Sequence, residues 1–128
     1  MIGQKIKVDD NYDDRGLLMA INQIPFEAKR LFFITNVPEG AERGNHYSKT
    51  SSFLYIVIKG ACIVDLDDGY RVESYYLTEG NGLLFNKNIW MKIYGFQRDT
   101  ILCVIADKEY RVLDYVSDYE EFKKSVRK

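Results

Sequence analysis

The sequence predicts an all-β domain, a sandwich or barrel, on three observations. Eight or more short apolar or alternating runs follow one another at close spacing, each broken by turn residues. Ten Tyr and seven Phe stand against nine Gly and only two Pro, a composition that suits pleated, half-buried surface. Only the C-terminal segment carries a helical pattern.

The first run is Gly16 to Asn22, entered through the turn Asp13-Asp14-Arg15-Gly16. Lys29 to Val37 follows and is ended by Pro38-Glu39-Gly40. Phe53 to Lys59 and Ala61 to Leu66 are joined tightly around Lys59-Gly60. Asp67-Asp68-Gly69 is then a hairpin signal, because Asp-Gly supplies the positive φ angles that primed turns need. Tyr70 to Leu77 alternates, with Arg71, Glu73 and Tyr75 opposed to Val72, Ser74 and Tyr76. Gly80-Asn81-Gly82 turns the chain into Leu83-Leu84-Phe85, and Trp90 to Phe96 and Thr100 to Ala106 complete the strands. Ser117-Asp118-Tyr119-Glu120 reads as a capping box opening a short helix. Glu121 lies near its positive end, Lys123 and Lys124 lie toward its negative end, and Tyr119, Phe122 and Val126 form an apolar stripe for the β core.

A chain of 128 residues, 46% hydrophobic, is expected to form one domain over residues 1–128 and to bury its own core. A net charge of −1 with both signs interspersed argues against a nucleic-acid surface. Met1-Ile2-Gly3-Gln4-Lys5 lacks the apolar core of a signal peptide. No apolar run approaches the roughly 18 residues of a membrane span, so a cytoplasmic protein with no membrane partner is expected. Cys62 and Cys103 lie inside apolar runs without a CxxC neighbour or basic setting, and read as reduced core thiols. One His and two separated Cys do not supply the usual three or four soft ligands, so no metal site is expected.

Chemistry centres on His46, the only histidine, in Arg43-Gly44-Asn45-His46-Tyr47-Ser48-Lys49. Histidine titrates near physiological pH and is the usual general base. By itself it fits a packed structural residue as well as a catalytic one. Gly44 lets the backbone turn where the loop enters the next strand, and Arg43 offers a planar fork for phosphate or carboxylate. Arg30, Arg15 and Lys49 lie on neighbouring segments. Singly each is a solvated charge, but gathered near a histidine they would suit an anionic substrate such as a nucleotide diphosphate.

Arg15-Gly16, Ile24-Pro25-Phe26 with Lys29-Arg30, Arg43-Gly44-x-His46 and Lys59-Gly60 occur in that order, followed by Leu66-Asp67-Asp68-Gly69 and Gly82-Leu83. Trp90, Val104-Ile105-Ala106, Asp114-Tyr115 and Tyr119-x-x-Phe122 extend the pattern over nearly the whole chain. In these the sequence resembles the dTDP-4-keto-6-deoxyhexose 3,4-ketoisomerases, small cupin-fold enzymes of a WxcM-like family. The resemblance implies a jelly-roll (double-stranded β-helix) barrel, a homodimer that exchanges N-terminal strands, and neither metal nor organic cofactor. It implies a carbonyl moved from C4 to C3 of a nucleotide-linked sugar through an enediol-type intermediate, with His46 as base. Arg43, Lys29 and Arg30 align with residues near the nucleotide phosphates.

Four aligned pocket positions differ. Phe32 keeps the ring of a family tyrosine without its hydroxyl, and Ser48 stands where a second histidine is usual. Phe53 replaces a glutamine, and Met91, after Trp90, replaces a histidine or arginine. Each change removes a group that could move protons or hold an oxyanion, at a typical cost of roughly 10²–10⁴ in rate. Three readings stay open on the sequence: an isomerase or epimerase of a nucleotide-linked keto sugar; a related reaction on another sugar in a pocket lined by Phe32, Phe53 and Met91; or a catalytically impaired member that binds a nucleotide sugar or partners an active isomerase.

Overall fold

A computed structural model describes residues 1–127. The strands are β1 (Gln4–Lys7), β2 (Asp9–Asp13), β3 (Gly16–Ala20), β4 (Arg30–Ile34), β5 (Arg43–Ser48), β6 (Phe53–Lys59), β7 (Ala61–Asp67), β8 (Val72–Thr78), β9 (Asn81–Phe85), β10 (Trp90–Tyr94), β11 (Ile101–Ala106) and β12 (Tyr115–Val116), followed by helix α1 (Tyr119–Val126). Two five-stranded antiparallel sheets, ordered β1-β9-β6-β11-β4 and β12-β5-β10-β7-β8, face each other as the expected jelly roll. β2 and β3 form a separate hairpin.

The inner faces follow the period of two. Phe53, Tyr55 and Val57 of β6 meet Val64 and Leu66 of β7, with Leu83, Ile93, Leu102 and Val104 in the same buried cluster. The other face of β6 and β11 presents Leu54, Ile56, Cys103 and Ile105 to a second cluster, partly covered by Met19 and Ile21. Burial on both faces explains why these two strands are nearly continuous apolar runs. Both thiols are free and buried as expected, and burial pushes the Cys62 thiol up to about 12.

Several turns differ from the sequence reading. β7 and β8 do pair as a hairpin, from Asp67 opposite Val72. Its loop, however, has four residues closed by Asp68 N–H donating to the Arg71 carbonyl at 3.2 Å, and it is anchored by the Asp68 carboxylate. Of its Asp-Gly pair only Gly69 takes a positive φ, 96°. Lys59-Gly60 is the tight joint expected, with β6 and β7 in different sheets, so the chain changes sheet at that corner. The next turn falls at Glu79-Gly80, while Asn81 and Gly82 already pair with Lys7 and Ile6 in the ladder. The helix begins one residue later than the capping box implied. Asp118, with the shorter acidic side chain and extended backbone, is the cap, and its carboxylate accepts from Glu121 N–H at 3.1 Å. Phe122 is fully buried against Tyr47 and Trp90, so the helix packs on the outside of the second sheet. No helix among the described residues is long and apolar enough to cross a membrane.

Candidate active site

The loop expected around His46 is itself a strand, β5, and it is irregular. Gly44 and Asn45 both take positive φ, 87° and 58°. Opposite them β10 pairs Met91 with His46 but Lys92 with Gly44, so Asn45 is an extra residue, a β-bulge. The bulge sets parity. Arg43 and His46 are three positions apart and would point to opposite faces of a regular strand. With Asn45 taken out of the count they stand opposite Ile93 and Met91, and both side chains reach one cavity between the sheets. Glycine and asparagine are the residues that adopt the required left-handed backbone at least cost.

That cavity holds about 340 Å³. β4 contributes Arg30, Phe32 and Ile34, every second residue, while Leu31 and Phe33 point outward and are each 57% exposed. β6 contributes Phe53 and Tyr55, and β10 contributes Met91 and Ile93. Tyr110, Val112, Tyr115 and Ser117 close one side.

Arg30 is held firmly. Its Nη1 donates to the Tyr115 hydroxyl at 3.1 Å, and its guanidinium lies over the Phe32 ring at 4.3 Å and the Tyr110 ring at 4.7 Å. Tyr115 in turn meets the His46 ring edge-on, with centroids 5.2 Å apart. Burial, and secondarily the Arg43 charge, lower the His46 pKa below the usual histidine value. The imidazole is therefore neutral at pH 7, the state a base requires. Its Nδ1 is buried without a hydrogen-bond partner, so no second group among the described residues fixes its tautomer.

The structure thus gathers His46, Arg43, Arg30, Phe32, Phe53 and Met91, and leaves five expected residues elsewhere. Trp90 is not in the lining, because alternation turns it away from its neighbour Met91, and it packs on Tyr119 and Phe122 at 5.1 and 5.8 Å. Ser48 is buried outside the cavity wall, where its hydroxyl accepts from Thr50 and Ser51 N–H at 3.2 and 2.9 Å. Lys49 is exposed, and only its backbone is engaged, donating to the Asp114 carbonyl at 2.8 Å. Arg15 sits at the β2–β3 turn, 85% exposed and paired with Asp13 at 2.7 Å, outside the cavity of its own chain. Lys29 faces an adjoining depression of about 530 Å³ and pairs with Glu27 at 3.2 Å. Several lining residues escaped the sequence reading, Tyr110 and Tyr55 among them. Tyr110 lies in an irregular segment with no periodic signal. Tyr55 is two residues after Phe53 on one strand, so the strand period applied to Phe53 would have found it.

Chemically, the cavity offers one neutral base, two guanidinium groups at its edge and a largely apolar interior. That arrangement can hold an anion while a proton is removed beside it.

Comparison with known proteins agrees. Residues 3–127 match the FdtA family model, described as WxcM-like, C-terminal. The chain is 32% identical over 120 residues to the TDP-4-oxo-6-deoxy-alpha-D-glucose-3,4-oxoisomerase of Aneurinibacillus thermoaerophilus, covering 91% of this chain and 86% of that protein. A 3,4-ketoisomerase structure from Helicobacter canadensis superposes with a TM-score of 0.93 at 32% identity, covering 100% of this chain and 99% of the other. A sugar 3,4-ketoisomerase from Thermoanaerobacterium thermosaccharolyticum, solved in complex with TDP, gives 0.92 at 26% identity, with 98% and 95% covered. With its jelly-roll sheets, its bulged Arg-Gly-Asn-His strand and these matches, the chain belongs to the FdtA, WxcM-like family of cupin-type sugar ketoisomerases.

Proposed function

We propose that the protein is a TDP-sugar 3,4-ketoisomerase, interconverting the 4-keto and 3-keto forms of a 6-deoxyhexose. The observation that carries this reading is the neutral, half-buried His46 sharing one cavity with Arg30 and Arg43. The guanidinium groups bind the diphosphate by charge-assisted hydrogen bonds, and hold the sugar inward toward the imidazole. His46 takes the proton from C3, and a proton is returned to C4, with no change of net oxidation state.

The working unit in this reading is a homodimer that exchanges N-terminal strands. The β2–β3 hairpin is paired with neither large sheet and exposes Tyr12 and Leu18 at 79% and 63%. The outer face of β4 likewise exposes Leu31 and Phe33. Two copies that bury these surfaces against each other would carry Arg15 of the partner subunit toward the cavity, which would give that residue a role its own chain does not provide. Two reduced, unreactive thiols suit a cytoplasmic location.

Incubation of the protein with TDP-4-keto-6-deoxyglucose in D₂O, followed by NMR, is expected to show deuterium at C3 of the recovered substrate and a new keto isomer, deuterated at C4. Absence of both at high protein concentration sinks the reading. The apolar interior made by Phe32, Phe53 and Met91 favours one second reading, a member that binds the nucleotide sugar without turnover. Tight TDP binding with no exchange would select it.

A further inference from the structure

Among the described residues no hydrogen bond engages the Tyr55 hydroxyl, and it is not one of the polar atoms sealed inside the protein without a partner. Tyr55 is 3% exposed on β6, with Phe53 and Phe85 set against its ring at 6.1 and 5.0 Å. Its side chain lines the cavity that holds His46, and no hydrogen bond contributes to its ionisation. Burial, and then the nearby Tyr115, push its pKa above the ordinary phenol value. It therefore remains an O–H donor at neutral pH, where His46 is a neutral base. An unengaged hydroxyl on the wall of a cavity is free to donate to an acceptor that enters it. Phe32, Phe53 and Met91, which share this wall, offer no donor at all.

We propose that the Tyr55 hydroxyl donates a hydrogen bond to the keto oxygen of the bound sugar and holds that oxygen as negative charge develops on it. This rests on the ketoisomerase reading, and it gives the cavity the donor that Phe32 lacks. As His46 removes the C3 proton, the C–H electron pair becomes the C3–C4 double bond. The C4 carbonyl π pair moves onto oxygen, where the Tyr55 proton meets it. When His46 returns its proton to C4 and the C3 hydroxyl proton passes to the C4 oxygen, the carbonyl stands at C3 and the C4 oxygen is a hydroxyl. The step needs no external oxidant or reductant. Because the hydroxyl acts on the reacting oxygen and not on the diphosphate, its removal should be felt in turnover and not in nucleotide affinity.

The test is Tyr55→Phe in the intact protein, with three measurements. The melting temperature should stay the same or rise, since the lost hydroxyl bonds nothing in the fold; a purely structural role would lower it. TDP affinity by calorimetry should be unchanged, while kcat for TDP-4-keto-6-deoxyglucose falls about a hundredfold and KM moves far less. Titration with the keto sugar also reads the contact without turnover: its affinity relative to TDP should drop in the variant. A variant that keeps both the wild-type rate and the wild-type preference for keto sugar over TDP overturns the role of Tyr55 and leaves the ketoisomerase reading standing. A wild-type protein that binds TDP and keto sugar but does not turn over overturns the catalytic reading alone, and the affinity comparison then decides Tyr55. A wild-type protein that binds neither overturns both.

Discussion

At the rim of the cavity stand Arg30 and Arg43, one pinned by Tyr115 and stacked on two rings, the other on a bulged strand. Its interior is Phe53, Met91 and Ile93, each at most 5% exposed, with the Tyr55 hydroxyl as a polar exception. The rim carries charge that solvent can reach, and it offers recognition of an anion. The interior excludes water, which strengthens every remaining electrostatic contact and depresses the His46 pKa. The replacements that the family resemblance implies at Phe32, Phe53 and Met91 would therefore touch the two regions unequally. In the proposed reading the cations for a diphosphate are present, and the interior offers few proton donors and acceptors. Phe32 shows that such a replacement need not be empty, because its ring now serves as the platform under Arg30.

Four experiments would break or sharpen this contrast. The largest effect belongs to His46→Asn, which should lower isomerisation about 10³-fold or more while TDP affinity, measured by calorimetry, stays near wild type. An equal loss in both would mean that rim and interior are not separable. Arg43→Ala should do the reverse, weakening TDP about tenfold to a hundredfold through loss of charge-assisted hydrogen bonds. Phe53→Gln should cost about 1–3 kcal/mol in denaturant unfolding, because an amide buried beside Phe85 and Tyr55 lacks assured partners, and TDP affinity should not change. The smallest effect is in pH. The depressed His46 pKa keeps the base neutral to lower pH, so the acid limb of kcat/KM should lie below about 6.5. Arg43→Ala should move that limb upward only in part, since burial is the larger cause of the depression.

The strands most legible in the sequence were those whose own chemistry matched their surroundings. Phe53–Lys59 was read to the residue, and Ala61–Asp67 and Ile101–Ala106 to within one, because apolar runs buried between layers announce themselves. β1 and β2, Gln-Lys-Ile-Lys and Asp-Asp-Asn-Tyr-Asp, carry almost no strand propensity and are held by pairing with Leu83–Leu84 and with β3. β5 went unread for a related reason: Gly44 and Asn45 signal a loop, and the bulge that they build is what makes the strand a site. The family pattern led to His46, Arg30 and Arg43. It could not say that Trp90 and Ser48 look away from the cavity or stop short of it, since that depends on parity and on where the wall ends. Nor did it point to Tyr55, which appears in no motif.

Asn45 also bears on how such a site changes over generations. Deleting this one residue would leave the chain's charge and hydrophobic content untouched and could heal the ladder between β5 and β10. Arg43 and His46 would then stand two positions apart on a regular strand and would still face one cavity. Pairing the strand at its present length with no residue left out of the count would instead turn Arg43 to the opposite face, so it is the bulge that keeps a cation beside the histidine, a feature that composition does not register.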